Sequence, residues 1–315
     1  MKNIKTILAI GVFAFVLAAV PAVAEKYKTN ETLTFDVGPN ASFKLRNISG
    51  DYQVMGWDRE VIEVYYVKEA RGSSAKTKAD MVKVINEQSG NRVVVEVKYP
   101  DSRERRARRL DHSFSVSVKF TIKVPIDCRI EVSTVSGDGE IMHINGDVDA
   151  GSTSGDVVAT ALAGNVKLHT TSGDVELSGG NGVIELTTTS GDVEASGVAG
   201  RVKMHTTSGD VDLAAVELTE GSLRTTSGDI EISIEKPITT GTFSLVVFSG
   251  SVEFYLPAES AFEVNAKVMH GDVESNFDLE FIRTRFRQEM RGKVNGGGAF
   301  INASTSVGDI EIFKK

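Results

Sequence analysis

The chain has 315 residues, 41% of them hydrophobic and only 7% aromatic, with one cysteine and a formal net charge of −8. That length holds a sizeable core, about two domains' worth. The lone Cys128 excludes an internal disulfide, and the acidic balance argues against general binding to nucleic acid or anionic membrane.

The opening segment reads as an export signal. Lys2 and Lys5 charge its start, Ile7 to Val20 is apolar, and Pro21 precedes Ala22-Val23-Ala24, a small-x-small cleavage pattern. Residues 1–24 are expected to be removed, leaving Glu25 first and a periplasmic, cell-surface or secreted protein. An uncleaved anchor is the alternative, although the apolar run is short of the about 20 residues of a membrane span. Without Lys2 and Lys5 the chain keeps 33 basic and 43 acidic residues, a charge of −10.

Residues 25–128 read as an irregular β-rich head. Leu33 to Val37, Val61 to Tyr66, Val93 to Val97 and Phe114 to Val124 alternate or run apolar as strands do. One helix is expected over Ala75–Glu87, with Met81, Val82, Val84 and Ile85 near one face and Ser89-Gly90-Asn91 ending it. Cys128 lies at a strand edge and reads as a small buried side chain rather than a catalytic thiol.

From residue 129 a repeat takes over. Glycines fall every nine residues, at 137, 146, 155, 164, 173, 182, 191, 200 and 209. Two and four residues after each stands an apolar pair, as in Val157 and Ala159 or Val175 and Leu177; only Gly139, before Ile141, breaks the rule. A spacing of two places both side chains on one face of a strand. Every second unit carries Thr-Ser-Gly-Asp, so the true period is 18 and a coil holds two strands. Relative to the turn Asp, apolar residues sit at −8, −6, +1 and +3. The same template fits around Asp51, Ser251, Asp309 and, one position weaker, Asp272. The expected fold is all-β: a two-sheet β-solenoid of about 18-residue coils over 129–315, regular to 234 and degenerate over 235–315 with an insertion between Asn276 and Gly298, preceded by the head with its one short helix. Irregular end units fit the need to cap a solenoid.

On these residues the chain resembles the bacterial toast-rack, or adhesin-like, β-strand repeat family. The likeness rests on Ile48-Ser49-Gly50-Asp51-Tyr52-Gln53-Val54 with Gly56-Trp57-Asp58, on Ile122-Lys123-Val124-Pro125, on the serial Ser-Gly-Asp-Val turns, and on Gly296-Gly297-Gly298 with Val307-Gly308-Asp309-Ile310. It covers nearly the whole chain after the export segment. It implies an envelope or surface protein of largely unknown function and carries over no catalytic residues.

The chemistry-bearing side chains form columns. The turn aspartates 138, 156, 174, 192, 210 and 229 stack, and outward at +2 stand Glu140, Glu176, Glu194, Asp212 and Glu231, interrupted by Val158. Asp174, Glu176, Asp192, Glu194, Asp210 and Asp212 are therefore candidate ligands for Ca²⁺, which favours clustered carboxylate oxygens. Turn aspartates also cap their own backbone, which accounts for the column without any metal. Asp149, Lys167, Glu185 and Lys203 alternate in charge on the other face, beside His169 and His205, which have a full coil, carrying Thr187, between them. Threonines 170–171, 188–189, 206–207 and 225–226 form ladders flanking the turns. Two basic clusters interrupt the acidic body: Arg103, Arg105, Arg106, Arg108 and Arg109, then Arg283, Arg285, Arg287, Arg291 and Lys293. They read as solvated hairpin inserts or as docking sites for phosphate or carboxylate groups, which the guanidinium fork matches.

No cofactor is implied. The expected function is a non-enzymatic envelope protein, adhesin-like or structural, with an unidentified envelope protein or glycan as partner. A polysaccharide-active β-helix enzyme and a calcium-binding solenoid are the alternatives.

Overall fold

A computed structural model describes residues 26–108, 114–283 and 288–315; the expected cleavage site lies outside the described residues. The 18-residue coil is present as expected. Val148 pairs in parallel with Val166, Val166 with Ile184, and Ile184 with Val202. On the opposite face Val157 pairs with Val175, and Val175 with Val193. Strands Val175–Thr187, Val193–His205 and Val211–Ser227 bend round the corner and belong to both faces. Among the described residues the ladder thus runs unbroken through 24 strands.

The two faces press their alternate side chains together. Val157, Leu168, Val175, Leu177, Ile184, Leu186 and Met204 are all buried, and one core extends from Phe35 to Ile312. Burying such an aliphatic side chain contributes about 1.5–3 kcal/mol, so each coil is held chiefly by its few inward residues. Gly139 departs from the pattern because Tyr52, on the neighbouring strand, fills the space. A Cβ at Gly139 would stand 2.2 Å from the Tyr52 ring.

The head is stacked onto the array. Ser42–Arg46 pairs with Arg129–Ser133, and Tyr52–Trp57 with Gly139–Ile144. The expected strands are found as Lys26–Asp36, Val61–Arg71, Arg92–Lys98 and Val116–Pro125. The expected helix is shorter. It spans Ala75–Met81, and Lys83–Ser89 is instead a strand, antiparallel to Arg92–Lys98 about a two-residue turn. Gly90 sits there at φ 57°, the left-handed geometry that tight hairpins require. Pairing with the Val93, Val95 and Val97 strand overrides the local helical pattern. A second helix, Ser102–Ala107, was not expected. Asp101 accepts from the N–H groups of Arg103 and Glu104 while Glu104 reaches back to the Asp101 N–H, a capping box.

Both ends of the stack reverse chain order. At the first end, 42–57 lies between the coil made by Arg92–Lys98 and Val116–Pro125 and the coil 129–144. At the other, Ala299–Val307 and Ile310–Lys314 slot between Thr242–Leu256 and Phe262–Ser275. The 276–298 insertion contains a hairpin, Glu280–Arg283 with Gln288–Val294, whose second strand lies antiparallel along Phe262–His270.

Candidate functional site

The Thr-Ser-Gly-Asp corner is built by three interlocking columns. The glycines adopt φ near +140°, and a Cβ on Gly191 would meet the Gly173 carbonyl oxygen at 2.1 Å. Only glycine allows coils to approach this closely. In the regular coils these carbonyls accept from a buried threonine of the next coil: Thr188 Oγ1 on Gly173 at 2.9 Å, Thr206 on Gly191 at 3.0 Å, Thr225 on Gly209 at 3.0 Å. The first threonine of each ladder pair is thus an interior group, while Thr171, Thr189, Thr207 and Thr226 are exposed.

The aspartates complete the corner. Asp192 N–H donates to Asp174 Oδ1, Asp210 N–H to Asp192 Oδ1, and Asp229 N–H to Asp210 Oδ1, each at 2.8 Å. One oxygen of each is therefore committed to the next coil. The ladder passes through Ser251 to Asp309 and Asp272. Among the described residues, no three His, Cys, Asp or Glu side chains come together to hold a metal.

Beside this structural column the outward carboxylates form a ridge. Glu176, Glu194, Asp212 and Glu231 occupy consecutive strands, and the ridge continues to Glu253, Glu311 and Glu274. Seven carboxylates in line, about 4.8 Å apart, have no ion-pair partner among the described residues. Burial and then the neighbouring Glu231, Asp210, Glu194 and Asp192 push the Asp212 carboxyl above its ordinary range. Burial, Glu253, Glu274 and Asp309 do the same to Glu311. Tyr255 donates to Glu253 at 2.7 Å, and that bond helps to push its hydroxyl up to about 12.

Glu253, Glu311 and Glu274 were absent from the expected set. Each is the +2 position between inward +1 and +3, so the residues could have been found. Their adjacency could not, because Glu311 stands spatially between Glu253 and Glu274 while following both in the chain.

The opposite face is compensated. Lys203 pairs with Glu185 at 2.7 Å, holding that carboxyl low, and Lys44 pairs with Glu131. His169 stands 3.8 Å from Asp149, and His205 Nδ1 lies 3.2 Å from the Arg224 carbonyl. Cys128 is buried, and burial pushes its thiol up to about 12, far from the range of a nucleophile.

The arginine clusters stand at opposite ends of the stack. Arg103, Arg105 and Arg106 lie on Ser102–Ala107, which buries none of its residues, with Arg108 at its end and the Arg105 guanidinium 5.7 Å from the Phe114 ring. Arg283 ends the strand Glu280–Arg283. Arg291 pairs with the buried Glu289 and Lys293 with Glu263. Arg109, Arg285 and Arg287 lie outside the described residues.

No described helix is long and apolar enough to cross a membrane. A family model described as Toastrack DUF4097 matches residues 68–313, and no curated protein matches the chain. Among solved structures, a "putative cell adhesion protein" from Clostridium sporogenes is 12% identical over 92% of this chain and 100% of that one, with TM-score 0.28. A "putative adhesin" from Bacteroides fragilis is 12% identical over 91% and 97%, with TM-score 0.28. A "putative lipid binding protein" from Parabacteroides distasonis is 13% identical over 91% and 96%, with TM-score 0.29.

Proposed function

The chain belongs to the Toastrack DUF4097 family, and from that premise we propose that it is an exported, non-enzymatic binding protein of the cell envelope whose carboxylate ridge receives an extended cationic partner. Export rests on the N-terminal Lys2 to Ala24 segment. The ridge carries the binding reading: seven carboxylates stand on consecutive strands of one ladder with no ion-pair partner among the described residues.

An exposed ion pair contributes only about 0–1 kcal/mol, so affinity would come from many weak contacts and fall with salt. The test compares poly-lysine binding to the wild-type chain and to a Glu176→Gln, Glu194→Gln, Asp212→Asn, Glu231→Gln variant. Four lost contacts of about 0.3–0.5 kcal/mol each predict binding weaker by roughly ten- to thirtyfold. A Glu217→Gln, Glu220→Gln control, altered elsewhere on the surface, should bind as wild type. Equal binding by the ridge variant and the wild type would refute the assignment.

A further inference from the structure

The strand Lys26–Asp36 pairs with Val61–Arg71 along one edge, and among the described residues no strand pairs with its other edge. This open edge is eleven residues long, whereas at the far end of the same face the last strand, Val273–Ser275, has only three. A long unpaired edge is a template for another strand.

Backbone direction fixes which groups are available. Val37 N–H donates to the Glu60 carbonyl, inward to its own sheet. In an antiparallel ladder alternate residues point opposite ways, so the backbone groups of Lys28, Asn30, Thr32, Thr34 and Asp36 point out from the free edge. Their side chains share the outer face, since Phe35 and Leu33 turn toward the core.

The charges on this edge are lopsided. Lys26 and Lys28 share one carboxylate, Glu69, at 3.5 and 3.3 Å. Asp36, at the other end, has no ion-pair partner among the described residues; its carbonyl accepts from Gln88 at 2.7 Å and retains a second lone pair. A two-fold rotation brings the lysine end of one strand to the aspartate end of another.

We propose that the chain forms a two-fold dimer by antiparallel pairing of Lys26–Asp36 with the same strand of a second copy, centred on Thr32. That register sets Lys28 opposite the second copy's Asp36 twice, Asn30 opposite Thr34 twice, and Thr32 opposite Thr32. Opposite-charge and Thr–Thr cross-strand pairs are favourable. Sliding the centre to Glu31 would set two glutamates face to face, which is not.

The test is sedimentation velocity on the full chain. The expected mass is twice that of one chain. Thr32→Pro removes an outward N–H on an edge strand, where proline is tolerated, and should abolish the dimer while leaving circular dichroism unchanged. Asp36→Lys should also give monomer by placing Lys28 against lysine, and the double variant Lys28→Asp, Asp36→Lys should restore the dimer by exchanging the signs. A monomeric wild type, as would follow if residues preceding Lys26 cover this edge, overturns the proposal. So does a dimer that persists in both Thr32→Pro and Asp36→Lys.

Discussion

Gly191 shows how a single position is constrained by the stack. Its φ is 141°, and an added Cβ would fall 2.1 Å from a backbone oxygen that cannot swing aside as a side chain could. Gly191→Ala should therefore destabilise by about 2–4 kcal/mol through strain and overpacking. Gly90→Ala, at φ 57° with nothing near its Cβ, should cost about 1–2 kcal/mol, the left-handed penalty alone. Denaturant melts of the two variants measure the difference, and equal midpoints would contradict the close approach at Gly191. The inward residues of each coil were legible because period two fixes a face wherever the strand is regular. Gly139 was not, because the ring that replaces its side chain belongs to Tyr52, brought beside it only by folding. The buried role of Thr188 and Thr206 was hidden for a similar reason: their partners are glycine carbonyls of the preceding coil.

At the scale of the element, burial and like-charged neighbours act on the carboxyls of the acidic ridge. Asp212 and Glu311 hold their protons more tightly in the folded chain than their ordinary values predict. Between the ordinary and the folded value the native state binds more protons than the unfolded one, so stability falls as pH rises through that window. Acidification from neutrality should at first raise the melting temperature. Further acidification should lower it, as Glu185, held low first by its bond from Lys203, and Glu69, held low by Lys28 and Lys26 against the cost of its burial, become protonated. Asp212→Asn should flatten the initial rise, and a melting temperature that only falls from pH 7 downward would count against ridge repulsion. The strands that bear the ridge were readable from alternation. Lys83–Glu87 fits the end of a helix as well as a strand because Val84 and Ile85 suit either period, and its strand state depends on the partner Arg92–Lys98 across the Gly90 turn.

For the whole molecule, the repeat announced a solenoid but not the order of its end coils. Apolar spacing identifies a coil, while nothing local states which coil lies beside it. The structure places 299–314 between 242–256 and 262–275, so removal of residues 299–315 should do more than fray an end. It would leave two facing edges unpaired and uncover Phe243, Phe254 and Val264, which are buried in the intact chain. The truncated protein should aggregate and bind hydrophobic dye, and a truncation that stays monomeric with an unchanged melt would contradict the interleaved order. The same arrangement has a consequence in time. A solenoid that simply grew from its first coil could fold at the pace of its synthesis or export, each new turn settling on the last. Here Phe262–Ser275 emerges before the strands that must lie beneath it, and it cannot settle on Thr242–Leu256 without closing the gap that 299–314 requires. The middle of the chain can zip early, but the far end stays ajar until residues 299–314 have emerged, and the segment that locks it is made after both of the segments it separates.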